Sequence, residues 1–450
     1  MKTHLLIEKL QLKNYKAHSS LRVEIDERFS VIAGRNGAGK TSLLKAFLDA
    51  AVAYTPFVTT SPWQGFLEGA DIPYETRDVN GSSLRFVKNY PVEIEACGRL
   101  GQIFGWNISK TESMASVSSS WNNPTVIDSP FQSLVPKGQI DSEQASKTTL
   151  PLIIFYPADR SWNHAGTNAI QALSQKITRK DAFQTFTNAS SQVQALIHWI
   201  TARSLERLQT ATETGVSFKD VKDDELAWAS AAIHTVLPEF ESLRYDMKRQ
   251  AVVVEWSNTA QADTAAPVLF EHLSDGQRTV MSLVLDIARR MLILNGHLRE
   301  KTLQDTPGLI LIDELETHLH PRWQREITRG LAQAFPSAQF VASTHSPQVL
   351  SELRAEQILL LHPGSDSTRH PQRSWGLTSN EVLEEVMEGE PRNTDISGQL
   401  AAIERAIEDE NYDAAQALLN SLRQDVGDIP DVLRLDETLA WYRDGLESGQ

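Results

Sequence analysis

Eight residues, Gly34 to Thr41, constrain this chain more than any others. The short apolar run Phe29-Ser-Val-Ile-Ala33 leads into Gly34-Arg-Asn-Gly-Ala-Gly-Lys-Thr41, and Ser-Leu-Leu-Lys-Ala-Phe-Leu follows as a good helix. Strand, glycine loop and helix in that order make a phosphate-binding loop. Glycines let successive backbone N–H groups turn inward at phosphate oxygens, the Lys40 ammonium reaches the terminal phosphates, and the Thr41 hydroxyl can ligate magnesium. Gly34, Asn36, Gly37, Gly39, Lys40, Thr41 and Ser42 are therefore the candidate nucleotide contacts.

Three later segments complete a candidate site. Leu309-Ile-Leu-Ile-Asp313-Glu314 is an apolar strand ending in two carboxylates, with Asp313 placed to hold magnesium (Mg2+) and Glu314 to activate water. Leu273-Ser-Asp-Gly-Gln277 precedes a long helix, whose N–H groups and positive dipole end suit an anion. Ser274 or Asp275 as a plain N-cap fits the same residues. Ser343-Thr-His345-Ser-Pro347 follows the next strand, so His345 can reach a terminal phosphate or the attacking water. Glu316-x-His318-x-His320 has metal-ligand character, but Pro321 and the adjacent nucleotide motif favour a structural and interfacial role. Asp71 and Arg160 read as ordinary surface groups.

Periodicity supplies the frame. Lys9 to Tyr15 alternates with Leu10 and Leu12 on one side, as a half-buried strand would, and Leu21 to Asp26 repeats the pattern. Val92 to Cys97 and Gln102 to Ile108 read as a meander ahead of a flexible serine-rich stretch around Ser116 and Ser118 to Ser120. Leu152 to Tyr156 reads as a buried strand, Asp181 to Phe240 as helical and Ala251 to Trp256 as a strand. Beyond these, Leu283 to Leu294 and Arg322 to Ala334 have helical spacing, while Leu309 to Ile312, Gln339 to Ser343 and Gln357 to Leu361 are strands. Alternating strands and helices predict a parallel sheet with helices on its faces.

Charge narrows the partners. The 450 residues carry 43 Lys and Arg against 58 Asp and Glu, a net of −15, which argues against an indiscriminately basic nucleic-acid binder. From Gly376 to Gln450 there are 5 basic and 18 acidic residues, so the acidity belongs to the tail. That tail has helical stripes through Leu400, Ile403, Ile407, Ala414, Ala417 and Leu418, an acidic extension suited to a basic partner. Cys97 is the single cysteine, so no internal disulfide forms, and no apolar run approaches a membrane span. The expectation is a cytoplasmic protein with no membrane association.

The four motifs, in this order, resemble the ATP-binding-cassette ATPases, and within them the RecF-like and SMC-like branch. A closer resemblance rests on Tyr156-Pro-Ala-Asp-Arg160-Ser-Trp162, Leu273-Ser-Asp-Gly-Gln-Arg278 with Asp286-Ile-Ala-Arg-Arg290, Asp313-Glu-Leu-Glu-Thr-His-Leu-His-Pro-Arg-Trp-Gln324 and Ser343-Thr-His-Ser-Pro347. These look like the AAA-type ATP-binding proteins that include PtuA of the Septu and some retron anti-phage systems.

The resemblance implies an α/β P-loop ABC-ATPase-like sheet with flanking helices, an inserted β-meander and helical region, and a C-terminal acidic helical extension. It divides the chain into 1–50 (first part of the ATPase domain), 51–150 (β-rich insertion with the serine-rich loop), 151–270 (strand plus helical insertion), 271–375 (second part of the ATPase domain) and 376–450 (acidic extension). It implies a homodimer around ATP, able to build higher oligomers. Ser274, Gly276 and Gln277 of one copy would meet the γ-phosphate held by Gly37, Lys40 and Thr41 of another, with Glu316 to Leu319 crossing between them. Gln64 is a weak candidate for the glutamine that senses magnesium. The implied partner is an HNH endonuclease subunit, PtuB-like, docked on the C-terminal helices and acting on DNA. After His345 neither an acidic Asp-x-Asp strand nor an HNH-like cluster is found, so another chain would cut. The competing expectations are a RecF- or SMC-like DNA-repair clamp and a slow-turnover nucleotide sensor.

Overall fold

A computed structural model describes residues 5–52, 72–79, 83–100, 102–110, 118–121, 140–142, 145–160, 177–189, 193–257, 267–390 and 392–447. Gln64, Asp71, Ser116, Ser161 and Trp162 lie outside the described residues. In chain order the strands are β1 Leu5–Tyr15, β2 His18–Glu24, β3 Phe29–Ala33, β4 Tyr74–Val79, β5 Ser83–Lys88, β6 Val92–Leu100, β7 Gln102–Lys110 and β8 Ser118–Trp121. They continue with β9 Leu152–Tyr156, β10 Phe240–Asp246, β11 Ala251–Trp256, β12 Val268–Leu269, β13 Gly308–Ile312, β14 Ala338–Thr344 and β15 Ile358–Leu360.

The continuous apolar runs form one parallel sheet in the order β15-β3-β14-β13-β9. Every residue of β3, β9, β13 and β14 is buried, as befits strands covered on both faces. The helices Lys40–Val52 and Asp275–Asn295 pack against it. This order brings the carboxyl ends of β3, β14, β13 and β9 to a single edge, where open α/β sheets bind their ligands.

Beside it lies an antiparallel sheet, β2-β1-β6-β7-β8. The meander therefore continues the N-terminal strands: Leu10 of β1 pairs with Val23 on one side and Ala96 on the other. Leu10 and Leu12 are buried while Lys9, Gln11 and Lys13 face water, as their alternation requires. A bulge between Ile7 and Lys9 interrupts the β1–β6 ladder. The buried Gln339 of β14 meets it there, accepting from Ile7 N (3.0 Å) and donating to Ile7 O (2.9 Å) and Asp26 O (3.0 Å). A third sheet, β10-β11-β12, and the hairpin β4-β5 complete the strands described.

Three expectations shift. Ser118 to Ser120, read as part of a flexible serine-rich stretch, form β8 and pair antiparallel with Asn107 to Ser109 of β7. The second strand runs from His18 to Glu24 and stops before Asp26, whose carboxylate accepts from the backbone N–H of Arg28 (2.8 Å) and Phe29 (3.0 Å) and turns the chain. The helical region resolves into Val193–Thr214 and Glu225–Val236, and the strand β10 follows directly.

The helix Asp275–Asn295 is buried along most of its length and carries a charged cluster inside the core. Asp286 accepts from the Tyr156 hydroxyl (2.9 Å), Arg290 Nε (2.7 Å) and Arg289 Nη2 (2.8 Å). Arg290 also donates to the carbonyls of Ala182 and Gln184, both at 2.8 Å. Burial alone would raise the Asp286 carboxyl, but the guanidiniums of Arg290 and Arg289 outweigh it and hold the acid below its ordinary value. This cluster ties the helix to β9, the edge strand of the parallel sheet.

The chain divides into two compact units, residues 1–379 and 380–450. The second is built from the helices Thr394–Glu408, Tyr412–Val426 and Pro430–Glu447. Asn393 and Asn411 cap the first two, each side chain accepting from a first-turn N–H. Their apolar stripes close over Leu400, Ile403, Leu419, Leu422, Leu435 and Leu439. Among the described residues no helix is long and apolar enough to cross a membrane.

Candidate functional site

The glycine loop leaves β3 and turns into the helix that begins at Lys40. Gly37 and Gly39 have φ of +79° and +94°, a left-handed conformation that side chains resist, and it lets the intervening N–H groups converge. Lys40 is buried, its ammonium donating to the carbonyls of Gly34 (2.9 Å) and Arg35 (3.1 Å). Burial lowers its pKa, while Asp313, Glu314 and Glu316 draw it back up. The loop lysine thus shares one pocket with carboxylates more than 270 positions later in the chain.

Sheet order explains the meeting. The end of β13 lies one strand from β14 and two from β3, so Asp313 faces the start of the loop helix. Thr41 Oγ1 donates to Asp313 Oδ2 at 2.7 Å, and Ser343 Oγ at the end of β14 donates to Asp313 Oδ1 at 2.5 Å. Glu314 follows with φ of 48°, and its backbone N–H donates to Ser343 Oγ at 2.8 Å. Its carboxylate accepts from Thr317 Oγ1 at 3.2 Å.

The structure therefore brings Lys40, Thr41, Asp313 and Glu314 together, with the segment Ser343 to His345 beside them. His345 is fixed through its backbone, its N–H donating to Glu316 Oε1 at 2.5 Å, while Thr344 Oγ1 donates to Glu316 Oε2 at 2.7 Å. Glu316 is committed to these donors, and among the described residues no group of three or more His, Cys, Asp or Glu side chains is arranged to hold a metal.

Ser274 stands apart from the loop. It is exposed at the N-terminus of its helix in a reciprocal cap: Ser274 Oγ accepts from Gln277 N (3.3 Å) and Gln277 Oε1 accepts from Ser274 N (3.1 Å). Among the described residues, no hydrogen bond joins Ser274, Gly276 or Gln277 to the Gly34–Thr41 loop. Gly276 is a glycine by close approach. A Cβ there would sit 2.6 Å from the His318 carbonyl and 3.2 Å from the Trp323 ring, so the cap lies directly on the loop after Glu314.

Arg160 corrects the sequence reading. It is 3% exposed, not a surface group, because the segment leaving β9 runs beside the end of β13. Its Nη1 donates to Asp313 O at 2.5 Å and its Nη2 to Glu314 O at 2.8 Å. Burial pushes the guanidinium down to about 10, against the pull of Asp313, Glu316 and Glu314. Ser343 and Glu316 also matter more than their sequence positions suggested. Their signal was the hydroxyl and carboxylate content of segments flanking buried strands.

An AAA-domain family model matches residues 9–244, and a second AAA-domain model, described with the AbiEii toxin and type IV toxin–antitoxin systems, matches residues 218–351. "Retron Vc95 probable ATPase" of Vibrio cholerae serotype O1 biovar El Tor is 24% identical over 398 residues, covering 79% of this chain and 73% of that protein. "Septu protein PtuA" of Bacillus mycoides (strain KBAB4) is 42% identical over 91 residues, covering 20% of this chain and 12% of that protein. Among solved structures, an SMC head bound to the C-terminal winged-helix domain of ScpA matches with a TM-score of 0.46 and 13% identity. That match covers 81% of this chain and 98% of the other.

Proposed function

The chain belongs to the AAA-domain family, and from that premise we propose that it is an ATPase of the retron and Septu defence type, which pairs with a second copy around Mg-ATP and thereby regulates a separate HNH nuclease. One observation carries the reading: a P-loop hydroxyl and a strand-end carboxylate, 272 positions apart, meet at 2.7 Å beside the loop lysine and a second carboxylate.

The residues fit a magnesium ion, since Thr41 and Asp313 offer the hard oxygen donors it takes. Bound there, magnesium would supply positive charge to the β- and γ-phosphate oxygens. The backbone of Gly34 to Gly39 would cradle the phosphates, and Lys40 would leave its two carbonyls to neutralise the terminal ones. Glu314 would orient the attacking water and take its proton. His345 would hydrogen-bond the terminal phosphate. Ser274, Gly276 and Gln277 would close the site from the second copy, where the positive end of a 21-residue helix faces the added charge.

The nuclease reading draws on the second unit. Its tail holds most of the acidic excess and exposes the large apolar side chains Leu418, Leu433, Trp441 and Tyr442, features suited to a basic partner carrying the DNA-cutting chemistry.

The test is phosphate release by the full chain and its variants. Lys40→Ala should weaken nucleotide binding, and Glu314→Gln should bind ATP while turnover falls roughly 10²- to 10⁴-fold. Unchanged turnover in Glu314→Gln removes that residue from the reaction. An HNH reading frame beside this one, whose product cleaves DNA only with this chain present, is the result expected for the nuclease role. A neighbouring permease would contradict it.

A further inference from the structure

We propose that Arg160 is a positioning residue for hydrolysis, its guanidinium clasping the main-chain carbonyls of Asp313 and Glu314 and so holding the turn that presents both carboxylates. The inference rests on the ATPase reading above and adds to it a residue from a distant segment.

The geometry favours a clasp over a simple ion pair. Both strong hydrogen bonds go to carbonyl oxygens, at 2.5 and 2.8 Å, and not to the carboxylates. A planar guanidinium fork can span two successive carbonyls, whereas an ammonium presents a point charge. The turn it grips needs holding: Glu314 sits at φ of 48°, a conformation that a residue with a Cβ keeps only where its surroundings enforce it. Ser343 enforces it from the β14 side through the Glu314 N–H, and Arg160 from the β9 side through the carbonyls.

A structural cap alone would not require a cation. Burying a guanidinium is costly, and among the described residues the buried Arg160 Nε has no hydrogen-bond partner. Its charge is offset by Asp313, Glu314 and Glu316, the carboxylates that line the candidate site. Releasing the clasp should let the Glu314 turn relax and move the carboxylate off the position from which it can reach water. The phosphate loop on β3 would be left intact.

The experiment uses the full chain with Arg160→Lys and Arg160→Gln, measuring steady-state ATP hydrolysis, ATP affinity and thermal unfolding. The expected result is a kcat lower by roughly 10- to 100-fold, the scale of an ångström-sized misplacement, with KM and ATP affinity within about threefold. Combining Arg160→Lys with Glu314→Gln should cost no more than Glu314→Gln alone, because both act on one step. Unchanged kcat in a folded variant overturns the proposal, as does a loss carried wholly by KM or a fully additive double variant. If neither variant folds, Arg160 serves the fold and the proposal also fails. Wild-type protein that binds no ATP, or hydrolyses none, defeats the ATPase reading itself. Wild-type turnover that survives Arg160→Lys defeats only the clasp.

Discussion

Replacing Asp286 by alanine tests the charged cluster that joins the helix Asp275–Asn295 to the edge of the parallel sheet. The substitution strands two buried guanidiniums. Arg289 is 3% exposed, and its side-chain hydrogen bonds among the described residues all go to Asp286. Arg290 keeps the carbonyls of Ala182 and Gln184 but loses its counter-ion. Breaking a buried ion pair by removing one partner costs about 3–5 kcal/mol, most of it for the uncompensated charge left behind. Arg289→Met should cost less, about 1–3 kcal/mol, because Asp286 retains Arg290 and Tyr156. The double variant should therefore fall short of the summed losses by about 1–3 kcal/mol.

Urea unfolding followed by tryptophan fluorescence measures all three. Acid adds a second reading. Because the folded Asp286 carboxyl titrates below its ordinary 3.8, its contribution is whole above that pH and is lost as the pH falls through the folded value. The wild-type and Asp286→Ala curves should converge below pH 3.8. Strict additivity, or a loss under about 1 kcal/mol for Asp286→Ala, would refute the reasoning.

Gly276→Ala drives a Cβ to within 2.6 Å of the His318 carbonyl, so the helix cap and the loop after Glu314 must separate, at a cost of about 1–3 kcal/mol. The urea midpoint should fall, and an unchanged midpoint would show that the two segments are not packed as described. In the C-terminal unit, Leu419→Ala should cost about 2–5 kcal/mol, because Leu419 is fully buried among Leu400, Leu422 and Leu435. Nucleotide affinity should be unaffected, because the phosphate loop belongs to the other compact unit, and a matching loss of ATP binding would contradict that expectation.

Much of this architecture was readable from residue order, for physical reasons. Strands buried on both faces carry short, mostly apolar runs, so Phe29 to Ala33, Leu309 to Ile312 and Gln339 to Ser343 announce themselves. The glycine loop does so by backbone need. Phe240 to Asp246 stayed hidden because its Glu241, Ser242, Arg244 and Asp246 interrupt the apolar positions directly after a helix. Arg160 stayed hidden because 153 positions separate it from Asp313, and only the placement of β9 beside β13 brings them together. Asp286, Arg289 and Arg290 defied the rule that charges face water, since the Asp286 carboxylate compensates both guanidiniums inside the core. Ser274 was ambiguous between cap and ligand contact, and within one copy it serves as a cap.

The central claim is that each nucleotide site is shared between two copies, and mixing two defective chains tests it most directly. Lys40→Ala spoils the phosphate loop, and Ser274→Arg spoils the edge that should reach across. Each alone should be inactive. Mixed in equal amounts, half the dimers pair one of each, and each such dimer holds one intact composite site. ATP hydrolysis should return to about a quarter of the wild-type rate. Two variants that stay as inactive together as apart, or a Ser274→Arg chain that hydrolyses ATP normally by itself, would place the whole site within a single copy and contradict the account.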